Sequence, residues 1–499
     1  MGLIFRQSLK SSVGFYIGVG LGAINTLFIS TRFLTPDQLA ISRILLENSL
    51  IFAAFSHLGT PYISDRFFAH FKNDKGKHNG FLLFILLFPL VGFSLFLIAF
   101  NIFDANIKAY FIEKSPTIIP YIWLSVPITF CWVYILVLES YSRVNGRTAI
   151  PTFLREVVFR TLNILLILLL GFGWIYFEAF LYLFLGAMAF IMLSMFVYIK
   201  QLGKLYLIWN RAVWSKSLVY QIVSFGVIII IGGIGANLIL FLDRNILANK
   251  IGTTAVAIFT VAAYIATVIE IPSKAIRQIS GPIMADAVYR NDKTQVRELY
   301  QKSALNLLLI GGIMFLLITF NIDSLFSILP KSEIYSQGKW VVIIIGLAKW
   351  IDMSLGLNIE MITYSKYFKV NTALIVVMAF LTVYANIKLI PIFGVVGSAL
   401  ATGGIALLSS LLRLAFVNWK FNILPFSKKD ILAVLILLVT ALIGWLMPSF
   451  KEGFGLAVLS IAMKSTLMIA VFTVLTIRLN ISHDLSVLYN KFVNTLFRR

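Results

Sequence analysis

Apolar runs of bilayer-crossing length recur along the whole chain, and no polar stretch between them is long enough to hold a domain of its own. The run at 162–170, followed by Gly171-Phe172-Gly173-Trp174, is typical, as is the one at 431–447. A helix needs about 20 such residues to cross the hydrocarbon of a bilayer. Every backbone N–H and C=O there must be satisfied within the protein, so the pattern predicts an all-α polytopic membrane protein. Composition agrees: 60% of residues are hydrophobic and only 13% charged, about half the charge of a soluble domain.

Charged or Pro/Gly-rich breaks divide the runs into about fourteen transmembrane helices. They lie near 11–34, 39–60, 81–101, 118–140, 153–172, 175–198, 217–241, 253–271, 303–321, 339–363, 369–389, 395–418, 431–449 and 454–478. The division at 171–174 rests on Gly171-Phe172-Gly173-Trp174 within a run too long for one span.

A net charge of +21 would suit a nucleic-acid partner, but its distribution assigns it to the membrane. With the N-terminus inside, the cytoplasmic segments and adjoining helix ends carry 30 of the 42 Lys and Arg, and the external segments 9. Arg43, Lys349 and Lys464 fall within spans. This is the positive-inside bias, and dropping one helix would invert every later loop and destroy it. The expected protein is therefore multi-pass with both termini cytoplasmic, no outer domain and no nucleic-acid partner. Arg6 and Lys10 precede an apolar stretch at 13–33 without a small-residue cleavage site, which reads as an uncleaved first helix. Cys131 is the single cysteine, and His57, His70, His78 and His483 are scattered. No metal site and no cofactor are expected.

A weak repeat appears at an offset of about 211 residues. Gly22-Ala23-Ile24-Asn25 in the first span is echoed by Gly235-Ala236-Asn237 in the seventh. Pro61 with Asn73-Asp74-Lys75 is echoed by Pro272 with Asn291-Asp292-Lys293. An even number of helices preserves orientation, so two six-helix lobes at 1–210 and 211–420 fit, followed by helices 13 and 14 and a tail at 421–499.

Few polar side chains interrupt the spans, and those few carry the chemistry. Gly14, Gly18 and Gly22 recur every four residues, with Asn25 and Arg32 continuing the face. Close helix packing explains the glycines, whereas Asn25 needs an interior partner or a polar path. Arg43 and Glu47 are neighbours on the second span, with His57 returning to that side. Arg43 lies near the outer end, where its long stem could snorkel; Glu47 is deeper and requires a partner. Lys349, Asp352 and Glu360 share a face of the tenth span, either as a structural Lys349–Asp352 pair or as a cavity lining. Asp243 and Arg244 close the seventh span, and Lys464 sits midway along the fourteenth. Glu139 and Glu156 stand within reach of pairing with Arg143, Arg155 or Arg160. There is no phosphate-binding loop and no catalytic constellation. A transporter without its own engine must draw on an ion gradient or on its substrate's gradient.

The stretch Ser11-Ser12-Val13-Gly14-Phe15 through Thr26, followed by Phe33-Leu34-Thr35-Pro36-Asp37-Gln38-Leu39-Ala40-Ile41, resembles bacterial polysaccharide biosynthesis proteins. These are the Wzx-type O-antigen flippases of the MOP (MATE-like) exporter superfamily. The pseudo-repeat of 34–41 would be 251–258. The resemblance implies two six-helix lobes around a cavity that opens alternately to each side of the bacterial inner membrane. It also implies an undecaprenyl-diphosphate-linked oligosaccharide as cargo, a unit of O-antigen, capsule or exopolysaccharide, with the polysaccharide polymerase and chain-length machinery as partners. Cations in a dehydrated cavity bind a diphosphate through charge-assisted hydrogen bonds. Arg43 and Lys349, one per lobe, are the first candidates, with Asn25, Arg32 and Arg244 as further cavity candidates. Glu47, Asp352 and Glu360 would position those cations or couple transport to Na+ or H+.

The main rival is a MATE-type multidrug exporter, which commonly carries an acid in its first helix where this chain has Asn25. A membrane glycosyltransferase or polysaccharide polymerase would present a large external loop, and this chain has none. The topology is directly testable. A fluorescent-protein fusion at Lys204 should fluoresce, and an alkaline phosphatase fusion at Lys331 should be active. The opposite result at either site would break the fourteen-span arrangement.

Overall fold

The computed structural model describes residues 3–73, 77–207, 213–449 and 453–481, and, of residues 3–12, 227, 228 and 231–241, the backbone alone. Asp74, Lys75, the side chain of Asn237, His483 and the C-terminal tail therefore lie outside the described residues. Every regular element described is a helix.

Ten of these helices are long and apolar enough to cross a membrane. The count of fourteen is compatible with them. Phe368–Phe421 is broken at Gly394 (φ 58°, ψ −132°), a conformation that side chains disfavour. The chain reverses there, and Gly397 packs directly on the Leu389 carbonyl. This helix thus supplies both the eleventh and twelfth spans. Three further apolar segments are helical: Ala149–Gly171 through a π-helical turn at Leu154–Val158, Lys216–Lys250, and Lys339–Ser354 continued by Asn358–Thr363.

The chain forms two compact units, Met1–Ala257 and Ile258–Arg499. Sequence likeness divides it near 210, whereas packing places Lys216–Lys250 with the first unit, against Pro36–Ser56 and Thr60–Phe71.

Within each unit the side-chain contacts sort loops into two ends, as alternating helices require. In the first unit, Arg143 pairs with Asp65 at 2.8 Å, Tyr141 donates to the Lys204 carbonyl at 2.9 Å, and Trp214 donates to the Asn79 carbonyl at 2.8 Å. These join three segments that the charge count places on one side. Segments assigned to the other side also meet. Ser115 donates to the Ala248 carbonyl at 2.7 Å, the Phe33 and Phe172 rings lie 5.7 Å apart, and the Thr253 hydroxyl donates to the Asp37 carboxylate. That last bond ties 34–41 to its pseudo-repeat at 251–258. In the second unit, Arg297 and Gln301 donate to the carbonyls of Asn422 and Leu424.

Local sequence sets the register of the helix that matters most in the first unit. Thr35 caps Pro36–Ser56: its hydroxyl accepts from Gln38 N–H at 3.2 Å, and Gln38 Oε1 accepts from Thr35 N–H at 3.0 Å. Pro36, which lacks an N–H, costs nothing in the first turn. Arg43 and Glu47 follow two and three turns in.

The first span packs through its glycines. A Cβ at Gly18 would stand 2.8 Å from both the Cβ and the carbonyl oxygen of Glu156. The backbone can approach the π-helical turn of the fifth span only because residue 18 has no side chain. Gly18→Val should lower stability by about 1–3 kcal/mol, read as a fall in the thermal midpoint of the purified protein. An unchanged midpoint would rule out this close approach.

Candidate functional site

Two clusters of polar side chains form on the helices, one in each unit. In the first, Glu47 is buried, and Arg244 Nη1 lies 3.3 Å from its Oε2 and 3.6 Å from Asp243 Oδ1. The Arg244 backbone N–H also donates to Asp243 Oδ1 at 2.7 Å. One residue further along both helices, Asn245 donates to Asn48 Oδ1 at 2.7 Å. A charged group removed from water is stable only when paired or hydrogen-bonded. The pairing of Glu47 with Arg244 across two helices meets that requirement.

Arg43 and Asn25 belong to the neighbouring surface. Arg43 Nη2 donates to Thr26 Oγ1 at 2.8 Å. Asn25 is buried in the π-helical turn Ile24–Ile29 and accepts from the Ser30 hydroxyl at 3.3 Å. Arg43 also lines a cavity of about 20 Å³ with Ser30, Ser42 and Asn163. That is room for about one water. Arg32 joins neither cluster; it is exposed, with its guanidinium 5.9 Å from the Phe33 ring centre.

The second cluster is larger. The Lys349 ammonium bonds to the Glu270 carboxylate, so the alternative Lys349–Asp352 pair is not the one that forms. Lys274, one turn beyond, acts on Glu270 as a second cation. Asp352 instead lies 3.6 Å from Arg277 Nη2 and 3.7 Å from Arg413 Nη1, and it accepts from the Ser410 hydroxyl at 2.5 Å. The expected common helix face is interrupted, because helix stops at Ser354, turns at Gly356 (φ 62°) and resumes at Asn358; Glu360 nonetheless lies 3.8 Å from Arg277 Nη1. Arg413 further donates to Ser409 Oγ at 2.7 Å. Asp352 and Glu360 thus meet one partner, Arg277, through the turn between their helices and not through helical spacing, and that partner comes from another helix.

Glu270, Arg277 and Arg413 are functional candidates that the reading of spans passes over. It stops the eighth span at 271 and counts Arg277 and Arg413 with the cytoplasmic segments. In the structure helix continues through Ile271–Tyr289 and through Phe421, so both arginines are helical and largely buried. A signal was present: Glu270 and Arg277 are seven residues apart, two turns along one face.

The remaining intramembrane charges are accounted for locally. Arg155 pairs with Glu139 at 2.7 Å and with Glu156 at 3.1 Å, and Arg160 pairs with Glu156 at 2.9 Å. Arg143 goes to Asp65 instead. Lys464 is buried and donates to Ser449 Oγ at 2.5 Å and the Phe320 carbonyl at 3.3 Å.

Solved structures share this helical fold. A lipid II flippase, MurJ, in an inward closed conformation superposes with a TM-score of 0.68 at 11% identity, covering 93% of this chain and 98% of that one. An inward-facing MATE-family multidrug resistance transporter of the MOP superfamily gives 0.63 at 15% identity, covering 83% and 98%. A MOP superfamily transporter from Pyrococcus furiosus, described as having a binding pocket of reverse polarity, gives 0.58 at 15% identity, covering 84% and 95%. No curated protein sequence matches the chain. The sequence profile of the polysaccharide biosynthesis protein family matches residues 6–288, and the chain belongs to that family.

The pairing of Lys349 is open to a double-mutant test. Lys349→Met leaves the Glu270 carboxylate without its hydrogen-bonded cation and should cost about 2 kcal/mol, less than a fully buried pair because both groups are partly exposed. Adding Glu270→Gln should recover most of that loss in thermal unfolding. Simple additivity of the two changes would show that the pair does not couple.

Proposed function

We propose that the protein is a flippase that carries an undecaprenyl-diphosphate-linked oligosaccharide from the cytoplasmic to the outer leaflet of the bacterial inner membrane by alternating access. Its membership of the polysaccharide biosynthesis family and its likeness in fold to the MurJ flippase support a lipid-linked cargo.

The observation that carries the reading is the loose engagement of two guanidiniums. Arg277 and Arg413 hold their carboxylates at 3.6–3.8 Å, and the Nε of each is buried with no hydrogen-bond partner. Hydrogen bonds to ionised groups normally close to about 2.7–2.9 Å. The two arginines thus retain unspent donor capacity, and a diphosphate offers acceptors of the charge and geometry that guanidinium matches best. Once it takes Arg277 and Arg413, Asp352 and Glu360 lose their partners and would take up H+ or Na+, which couples the cargo to an ion gradient.

The drug-exporter alternative is less well supported. Such a protein needs carboxylates available to an organic cation, yet Glu47, Asp243, Glu270, Asp352 and Glu360 each have an Arg or Lys within 3.8 Å. Transfer of the oligosaccharide to a polymerase and chain-length machinery belongs to the same proposal. So do the cytoplasmic termini.

Arg277→Gln and Arg413→Gln should each slow flipping of a fluorescent undecaprenyl-diphosphate oligosaccharide in proteoliposomes about tenfold or more, the loss of a charge-assisted hydrogen bond. In cells, the lipid-linked unit should accumulate on the inner leaflet. Normal flipping by both variants would refute the arginine site. Normal surface polysaccharide after gene deletion would refute the flippase reading itself.

A further inference from the structure

Away from both clusters, the second unit carries a polar groove of about 260 Å³ at one end of its helices. It is lined by Lys293, Thr294 and Arg297 from the start of Lys293–Phe320 and by Phe421, Asn422 and Ile423 from the turn that ends Phe368–Phe421. At about 30 Å³ per liquid water, the space exceeds that of a few solvent molecules. We propose that this groove binds the phosphate head group of an anionic phospholipid.

Charge is the first argument. Lys293 and Arg297 are four residues apart on one helix face, and neither forms an ion pair among the described residues. The nearby carboxylates are engaged elsewhere. Asp292 accepts from the Thr294 and Gln295 amides, Glu298 pairs with Lys302 at 2.9 Å, and Asp430 accepts from the Ser427 amide and hydroxyl. Arg297 spends one N–H on the Asn422 carbonyl at 3.4 Å, which fixes the guanidinium at the rim. Asn422 adopts a left-handed conformation (φ 54°) that turns the chain and sets Phe421 and Ile423 into the wall.

The surroundings select a lipid over a soluble anion. Trp419, Leu424 and Phe426 are exposed beside the groove, and Lys420 Nζ sits 3.4 Å from the Trp419 ring centre. Exposed Trp and Phe beside lysines mark the depth where a membrane passes from hydrocarbon to head groups. Beyond the two buried arginines, the segments meeting at this end also carry Lys302, Lys420, Lys428 and Lys429. Basic pockets between membrane helices at this level suit anionic lipid head groups. A free phosphate would gain nothing from Phe421, Ile423 or Trp419, whereas a lipid phosphate arrives with its chains beside them.

The test uses the full-length protein in nanodiscs of phosphatidylcholine with graded phosphatidylglycerol, with bound lipid read by native mass spectrometry. Lys293→Gln/Arg297→Gln should weaken phosphatidylglycerol retention about thirtyfold, the effect of two cations at a membrane surface, and leave phosphatidylcholine unchanged. Each single variant should lose about fivefold. Lys293→Gln alone decides the matter if the double variant does not fold, because Lys293 is exposed at the rim. Undiminished phosphatidylglycerol retention, or equal retention of phosphatidylcholine, would overturn the proposal. Displacement of the lipid by equimolar glycerol phosphate would assign the groove to a soluble anion and overturn it as well.

Discussion

Charge in a low-dielectric interior is tolerated only in company, and that constraint organises both units. Taking a carboxylate or guanidinium out of water costs several kcal/mol even after relaxation, unless an opposite charge or hydrogen bonds offset it. Glu47 is therefore met by Arg244, Glu270 by Lys349, Asp352 by Arg277 and Arg413, and Glu360 by Arg277, each from another helix, while Asp243 is met by its own neighbour Arg244. Such pairs cross-link spans that lipid-like side chains alone would let slide, because hydrocarbon provides no hydrophobic drive between helices. Interior polarity thus specifies which helices meet and in what register, with glycine contacts such as Gly18 on Glu156 setting how closely.

The pairs differ in tightness. Lys349–Glu270 is a direct charged hydrogen bond, whereas Arg277 and Arg413 stand off their acids at 3.6–3.8 Å. A tight pair is a structural tie. A loose one exchanges partners at little cost, as the proposed loading and release of an anion would need. The Asp37–Thr253 bond joins the segment that carries the family resemblance to its own pseudo-repeat. Residues that resemble the family's linker here take part in holding helix ends together.

The helices were legible in the sequence because their signal is one-dimensional: about twenty apolar residues and the sign of the next loop. The same reasoning found Glu47, Asp352 and Glu360, since an acid inside an apolar run stands out. It did not find their partners. Pairing is a three-dimensional relation: Arg244 stands out as a cavity candidate without showing its partner, and Arg277 and Arg413 sit where the charge count assigns them to loops and helix ends. The Lys349–Asp352 spacing is equally good on the helix surface, but Glu270 on a neighbouring helix takes the lysine while Arg277 and Arg413 hold the aspartate. The break at Gly394 was visible as the division between spans at 389–395, whereas the π-helical turns that hold Asn25 and Glu156 have no signature in composition.

The balance of the clusters also bears on how the protein meets the electric field of its membrane. Five carboxylates, Glu47, Asp243, Glu270, Asp352 and Glu360, stand with six cations, Arg43, Arg244, Lys274, Arg277, Lys349 and Arg413. Moving one elementary charge across 100 mV is worth about 2.3 kcal/mol, but a cation and an acid that travel together move almost none. In the proposed flippase cycle, the paired charges of the clusters would add little to the protein's voltage sensitivity, and the field would act chiefly on the excess cation and on the charge of the cargo.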